Sequence, residues 1–186
     1  MGVGTLKMAG QRAVFLDRDG VLNRAIVRQG KPYPPDTLAQ VEIVSGAADT
    51  LAGLKNLGLR LLVVTNQPDV ARGKQDRAVV EAINAHLSAA LPLDKIYTCY
   101  HDDSDACECR KPLPGLLEQG ATEWQVDLSR SFLIGDRWRD VAAGQAAGCT
   151  TFLIDLDYAE QVMVEPDYHV SSLEEAASLI TNLVAN

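Results

Sequence analysis

The 186-residue chain has no apolar run of the ~18 residues that a membrane-spanning helix needs. Basic side chains are also scarce: 17 Lys and Arg stand against 25 Asp and Glu, a formal charge of −8. That balance excludes a general nucleic-acid binder, because phosphate backbones require a basic surface. A small phosphorylated ligand is still allowed, since it needs only a local cationic pocket. Met1 to Gln11 lack the apolar core of a secretory signal. Internal repeats and low-complexity tracts are absent. The expectation is a cytoplasmic protein with reduced thiols, in contact with neither membrane nor nucleic acid. Its four cysteines then favour metal ligands or free thiols over disulfides. Length and composition fit a single domain over residues 1–186, expected to be a monomer.

What is present alternates. Ala13 to Leu16 and Leu59 to Val64 are short, wholly apolar or nearly so, and end in Asp17 and Thr65. Such runs read as strands buried on both faces of a parallel sheet. Lys95 to Tyr100, Ser131 to Ile134 and Thr150 to Ile154 read as further strands. Helical spacing predicts helices over 46–57, 74–91, 114–124, 140–147 and 172–184, with Ser171 or Ser172 as the last cap. The order specifies an α/β fold: a Rossmann-like three-layer α/β/α sandwich with a mostly parallel sheet. Residues 23–40, with Pro32, Pro34 and Pro35, read as a loop or flap over one end of the sheet. Neither this stretch nor 101–114 is long enough for a cap domain, so the site is expected to be open.

Chemistry in open α/β sheets sits beyond the carboxyl ends of the strands. Three strands here end in polar groups: Asp17-Arg18-Asp19-Gly20, Thr65-Asn66-Gln67, and Gly135-Asp136 with Asp140 four residues on. A lone Asp at a strand end is usually a turn or cap residue, and Asp-x-Asp-Gly also occurs in calcium loops. It is the set in this chain order that points to chemistry. Converging carboxylates repel unless a cation sits between them. Mg²⁺ suits oxygen ligands and phosphate handling.

A second constellation is soft. Cys99-x-His101 and, five residues later, Cys107-x-Cys109 place four thiol or imidazole groups within eleven residues. That is enough for a closed tetrahedral Zn²⁺ site, though a disulfide or free thiols remain alternative readings. Cys149 reads as a small buried residue, and His86 and His169 as surface or core residues.

Phe15 to Asn23 resembles the first motif of the haloacid dehalogenase-like (HAD) phosphatase superfamily. Val64-Thr65-Asn66-Gln67 resembles its second motif, Arg110-Lys111-Pro112 its third, and Ile134 to Asp140 its fourth. The match spans roughly residues 13–154. It is most similar to the nearly capless phosphatases of heptose bisphosphate and histidinol phosphate, whose zinc loop reads C-x-H, a spacer, then C-x-C-R-K-P. The resemblance implies Asp17 as nucleophile and Asp19 as general acid and base. Thr65 and Lys111 would bind the transferring phosphoryl group. Asn66, Gln67, Arg110 and Arg137 would contact substrate. Mg²⁺ would be held by Asp17, Asp136 and the main chain of Asp19, with Asp140 a further ligand or an orienting residue. A structural Zn²⁺ would be held by Cys99, His101, Cys107 and Cys109.

The resemblance further implies hydrolysis of a small phosphorylated metabolite, with D-glycero-D-manno-heptose 1,7-bisphosphate (cleaved at position 7) as first expectation. Histidinol phosphate is the alternative. The loop after the first motif, Arg24 to Arg28, lacks the Asp and His usual in the heptose enzymes, and Pro68 and Asp69 replace small residues. Two readings from other classes also stand. One is a non-catalytic phospho-ligand domain, which would be expected to have lost Asp17, Asp19 or Lys111. The other is a zinc-dependent interaction module, which would need no magnesium.

Overall fold

The computed structural model describes residues 10–161 and 163–185. The reading of Met1 to Gln11 as lacking a signal core falls mostly outside them. A six-stranded sheet runs through the middle of the molecule in the order β5-β4-β1-β6-β7-β8, every neighbouring pair parallel. Its strands are β1 (Ala13–Leu16), β4 (Arg60–Asn66), β5 (Lys95–Cys99), β6 (Phe132–Gly135), β7 (Thr150–Ile154) and β8 (Tyr168–Val170). Alternate residues of β1 feed two cores. Val14 and Leu16 face one that also holds Leu51, Ile83 and Ile180, from α1 (Ala47–Asn56), α2 (Arg77–Ala90) and α5 (Leu173–Ala185). Ala13 and Phe15 face the other, with Leu116 and Ala143 from α3 (Gly115–Trp124) and α4 (Trp138–Ala147). Each side chain of β1 is wholly buried, and this two-faced burial is why the strand reads as an unbroken apolar run. The expected three-layer α/β/α architecture is what forms.

Several elements depart from the sequence reading; helix α2, for one, begins at Arg77, three residues after the expected start. β8 was not anticipated. The loop over 23–40 contains a small antiparallel hairpin, β2 (Ile26–Arg28) and β3 (Lys31–Tyr33). The hairpin is also tied across the carboxyl end of the sheet, because the Gly30 carbonyl accepts the Ala159 N–H at 2.8 Å. Pro32, Tyr33 and Pro34 of this stretch line one side of the pocket at the strand ends, in keeping with the flap that the sequence predicts. Helix α4 starts at Trp138, two residues before the expected Asp140. Asp140 instead sits in its first turn and accepts the Arg137 N–H at 3.1 Å, capping one of the helix's orphan donors. Ser172 caps α5 by accepting the Glu175 N–H at 3.1 Å. Among the described residues no helix is long and apolar enough to cross a membrane.

Candidate active site

The carboxyl ends of β4, β1 and β6 lie side by side, and the ladder sets the spacing of the groups that follow them. The Asp17 N–H extends the β1–β6 ladder by donating to the Ile134 carbonyl at 2.9 Å. Asp17, Asp136 and Asp140, all buried, offer carboxylate oxygens within 4.8 Å of one another. Lys111 arrives from the loop before α3 and is itself 2% exposed. Its three ammonium protons go to Asp17 Oδ1 (2.8 Å), Asp140 Oδ1 (2.5 Å) and the Val64 carbonyl (2.7 Å). A buried lysine with every proton placed is a fixed positive charge. Two carboxylates outweigh its burial and raise its pKa.

Two glycines make room for this cluster. Gly20 adopts φ +93°, and a Cβ there would lie 1.9 Å from Asp136 Oδ2. A Cβ on Gly135 would lie 2.2 Å from that of Asp140. Any side chain at either position would push the carboxylates apart.

The electrostatics are unbalanced. Asp17, Asp136 and Asp140 face one lysine. Burial raises the Asp17 pKa from 3.8 to about 6; Lys111 pulls it down and Asp140 pushes it back up. Asp136 is raised well above the ordinary value, first by burial, then by Asp17 and Asp140. The Tyr158 hydroxyl stands near enough to offset this slightly, yet neither Asp136 oxygen meets a donor in hydrogen-bonding geometry. A buried carboxylate without a donor lacks a partner that a cation would supply. The donor set fits a hard divalent ion between Asp17 and Asp136. Asp140 is committed otherwise, with one oxygen on Lys111 and the other on the Arg137 N–H.

Asp19 lines the same pocket and is held from three sides. Arg18 reaches both of its oxygens, Asn23 donates at 2.9 Å and Gln67 at 2.8 Å. Arg18 is fully buried and donates from Nη1 to Asn84 Oδ1 at 2.9 Å, and the Asn84 amide in turn donates to Thr98 Oγ1. Sequence reasoning missed Arg18 and Asn84. The available signal was a polar Asn84 inside the apolar stripe Val80, Ile83, Leu87. Gln67, expected at the substrate, is 2% exposed and spends its amide on Asp19 and on Thr65 Oγ1 (3.0 Å). Thr65 is likewise buried and does not line the pocket. Asn66 does line it, and it clamps the Lys111 backbone in both directions, at 2.9 and 3.1 Å. Arg137 lies on the wall, bidentate to Glu160 at 2.6 and 2.8 Å. Arg110 is bonded to Asp103 at 2.8 Å.

Beyond the pocket, the Cys99, Cys107 and Cys109 sulfurs and His101 Nδ1 form a second cluster within 4.8 Å. Sulfur separations are 3.1, 3.5 and 3.8 Å, and Nδ1 lies 3.3 Å from Cys109 Sγ. A tetrahedral ion with thiolates at ~2.3 Å would set sulfurs about 3.8 Å apart. Donor chemistry and spacing both fit a metal. Cys149 lies apart, buried, and none of the four cysteines is in a disulfide. His86 is exposed and His169 meets Glu165.

Nucleophile-type carboxylates, a buried lysine and a cation-ready gap at the ends of adjacent parallel strands are the parts of a phosphoryl-transfer site. The chain belongs to the haloacid dehalogenase-like (HAD) phosphatases. The HAD-hydrolase-like family matches residues 108–176. The chain is 38% identical over 141 residues to D-glycero-beta-D-manno-heptose-1,7-bisphosphate 7-phosphatase of Helicobacter pylori, covering 72% of this chain and 76% of the relative. It is 33% identical to the enzyme of the same name from Salmonella typhi, covering 94% and 92%. The crystal structure of D,D-heptose 1,7-bisphosphate phosphatase from B. bronchiseptica, complexed with magnesium and phosphate, is similar at TM-score 0.78 and 28% identity. That match covers 92% of this chain and 99% of the other.

Proposed function

We propose that this phosphatase hydrolyses the 7-phosphate of D-glycero-D-manno-heptose 1,7-bisphosphate through an aspartyl-phosphate on Asp17. The observation that carries the reading is the Asp17–Lys111–Asp140 arrangement beside the donor-less Asp136. Its relatives' names supply the substrate. Asp17 attacks phosphorus in line with the departing sugar oxygen. Lys111 keeps one Asp17 oxygen bonded and so orients the other, and its charge offsets the phosphoryl group's. Asp140 holds Lys111 in place. Asp19 protonates the leaving alkoxide and later takes the proton of the hydrolytic water. Asn66 fixes the loop that carries Lys111, while Gln67 positions Asp19 and Thr65. The Thr65 hydroxyl accepts from Gln67 at 3.0 Å at the phosphoryl-binding end of β4.

Asp17, Asp136 and the main chain of Asp19 would hold Mg²⁺, which would add positive charge where the transition state gathers negative charge. Cys99, His101, Cys107 and Cys109 would hold a structural Zn²⁺ that shapes the Arg110–Lys111 loop. Reduced thiols suit a cytoplasmic enzyme.

Next to the catalytic pocket lies a larger cavity of about 360 Å³. The two share Pro32, Tyr33, Pro34, Asn66, Arg137 and Arg139 as walls. It is of a size to take a sugar and a second phosphate, with Arg110, Arg137 and Arg139 in the wall that the distal group would meet. The test is kcat/KM with Mg²⁺ for the heptose bisphosphate, histidinol phosphate and a panel of hexose monophosphates. The heptose bisphosphate should lead by at least about tenfold, a 1.4 kcal/mol margin. A lead for histidinol phosphate or a monophosphate would overturn the substrate.

A further inference from the structure

The wall of the larger cavity carries an unusual ion-pair arrangement. Three arginines from three separate segments converge on one carboxylate, that of Asp103. Arg110 Nε, in the cysteine loop, lies 2.8 Å from Asp103 Oδ1. Arg139 Nη1, in the first turn of α4, lies 3.5 Å from the same oxygen. Arg72 Nη2, from the segment between β4 and α2, lies 3.9 Å from Oδ2. All four residues line the cavity.

The two sides of this contact are built differently. The Arg110 side chain is 10% exposed, whereas that of Asp103 is 59% exposed. The arginine is fixed in the wall and the carboxylate reaches it from solvent. Asp103 also plays no part in holding its own turn: Asp102 accepts the Asp103 N–H at 2.8 Å, and Asp105 accepts the Asp102 N–H at 2.7 Å. Among the described residues its side chain pairs with guanidinium groups alone. A carboxylate oxygen that receives two guanidiniums occupies the position that a phosphate oxygen would take between them.

We propose that Asp103 is a specificity-determining residue: its carboxylate occupies the second-anion place between Arg110 and Arg139, and a ligand's non-reacting phosphate must displace it. The proposal rests on a ligand that carries a second anionic group. Asp103 offsets the basic wall when no such group is present, so monophosphates gain little from Arg110 and Arg139. The dianion of the second phosphate outcompetes the single carboxylate charge. Displacement costs little on the Asp103 side, because its exposed carboxylate is already largely in water.

The test uses inert probes, so that it does not depend on which sugar is turned over. An alkylene bisphosphonate and an alkyl monophosphonate are measured as competitive inhibitors of aryl phosphate hydrolysis. The preference Ki(mono)/Ki(bis) is read in the wild type, Asp103→Asn and Arg139→Gln. Asp103→Asn should raise the preference about threefold to fivefold, the loss of one exposed ion pair. Arg139→Gln should lower it, and in that background the Asp103 change should raise it by less, because only Arg110 is left to be freed. Zinc content and melting temperature are checked alongside, and Asp103→Ser replaces the amide if the loop is disturbed. An unchanged or lowered preference in the metal-loaded Asp103 variant overturns the proposal and would make Asp103 an organiser of Arg110. Should the heptose bisphosphate fail as substrate while the preference shifts as stated, the substrate falls and the Asp103 assignment stands.

Discussion

The molecule carries two clusters of potential metal ligands, and they are made in opposite ways. The carboxylates of Asp17 and Asp136 stand at the ends of adjacent strands whose ladder holds their backbones at fixed spacing. Asp140 is pinned by a helix cap and by Lys111. This cluster is built by the fold, with or without an ion, and it stores unbalanced charge. In the thiol and imidazole cluster only Cys99 lies on a strand. His101, Cys107 and Cys109 lie on a loop whose regular structure is one short turn, Asp103–Asp105. Apart from the ligand groups, that loop is tied to the body by side-chain contacts such as Arg72–Asp102 (2.5 Å). Cys107 and Cys109 pack against one core, and Arg110 bonds Asp103 and the His101 carbonyl, so side-chain contacts rather than a strand ladder set these three ligand positions. On the proposed function, an ion at the first cluster would serve chemistry, whereas one at the second would serve shape.

The sharpest test of the first half of this contrast is Asp17→Asn. It removes the nucleophile and one buried negative charge but keeps the side chain's size. Turnover should fall by at least about a thousandfold. Stability should hold or rise slightly, because a desolvated carboxylate becomes neutral. Steady-state assays and thermal melts check both. Residual turnover within tenfold of wild type would exclude covalent catalysis at Asp17.

Cys107→Ser probes the second half and should reverse the pattern. Loss of one thiolate should release the ion and unpin the loop, since metal binding and folding are coupled. The melting temperature should drop on the order of 10 °C. Turnover should fall only about tenfold to a hundredfold, through the displaced Lys111 backbone. Metal analysis with a thermal melt checks the first effect. A zinc-free variant with an unchanged melt would show that the loop holds itself.

These two clusters were also legible to different depths. The strand-end carboxylates could be placed because buried parallel strands are nearly continuous apolar runs, so each polar break, such as Asp17 or Asp136, marks a carboxyl end. The four soft groups could be grouped by their spacing, which left a disulfide or free thiols open beside a metal site. What could not be read is what turns inward. Arg18 sits between two aspartates as if solvated, yet it is buried and braced by Asn84, sixty-six residues away. Gln67 likewise belongs to a motif that suggests substrate contact, but it faces Asp19. β8 is three residues long with only Val170 buried, too short to show a period. The hairpin was hidden by Pro32, a residue that strands admit only at edges. Asp103 depends on three arginines brought together by tertiary folding, and no local pattern records that.

The smallest expected effect concerns how the strand-end cluster responds to pH. The Asp17 carboxyl has an ordinary pKa of 3.8 and a folded value of about 6 without a cation, burial being the main cause. Between those values the folded chain keeps a proton that the unfolded chain has lost. Stability of the metal-free protein must therefore fall as pH rises through this window, and the full penalty persists above about 6. Asp136, also raised, acts in the same direction. A divalent cation relieves the repulsion only where the carboxylates are ionised, and at lower pH it must also displace protons. Adding Mg²⁺ should then raise the melting temperature more at pH 7.5 than at pH 5, by about 3 °C. The thiol cluster should contribute no such magnesium response, since its soft donors do not select a hard ion. Equal gains at the two pH values would mean that carboxylate repulsion is not what the cation relieves, and the contrast between a charge-storing site and a shape-holding one would lose its electrostatic basis.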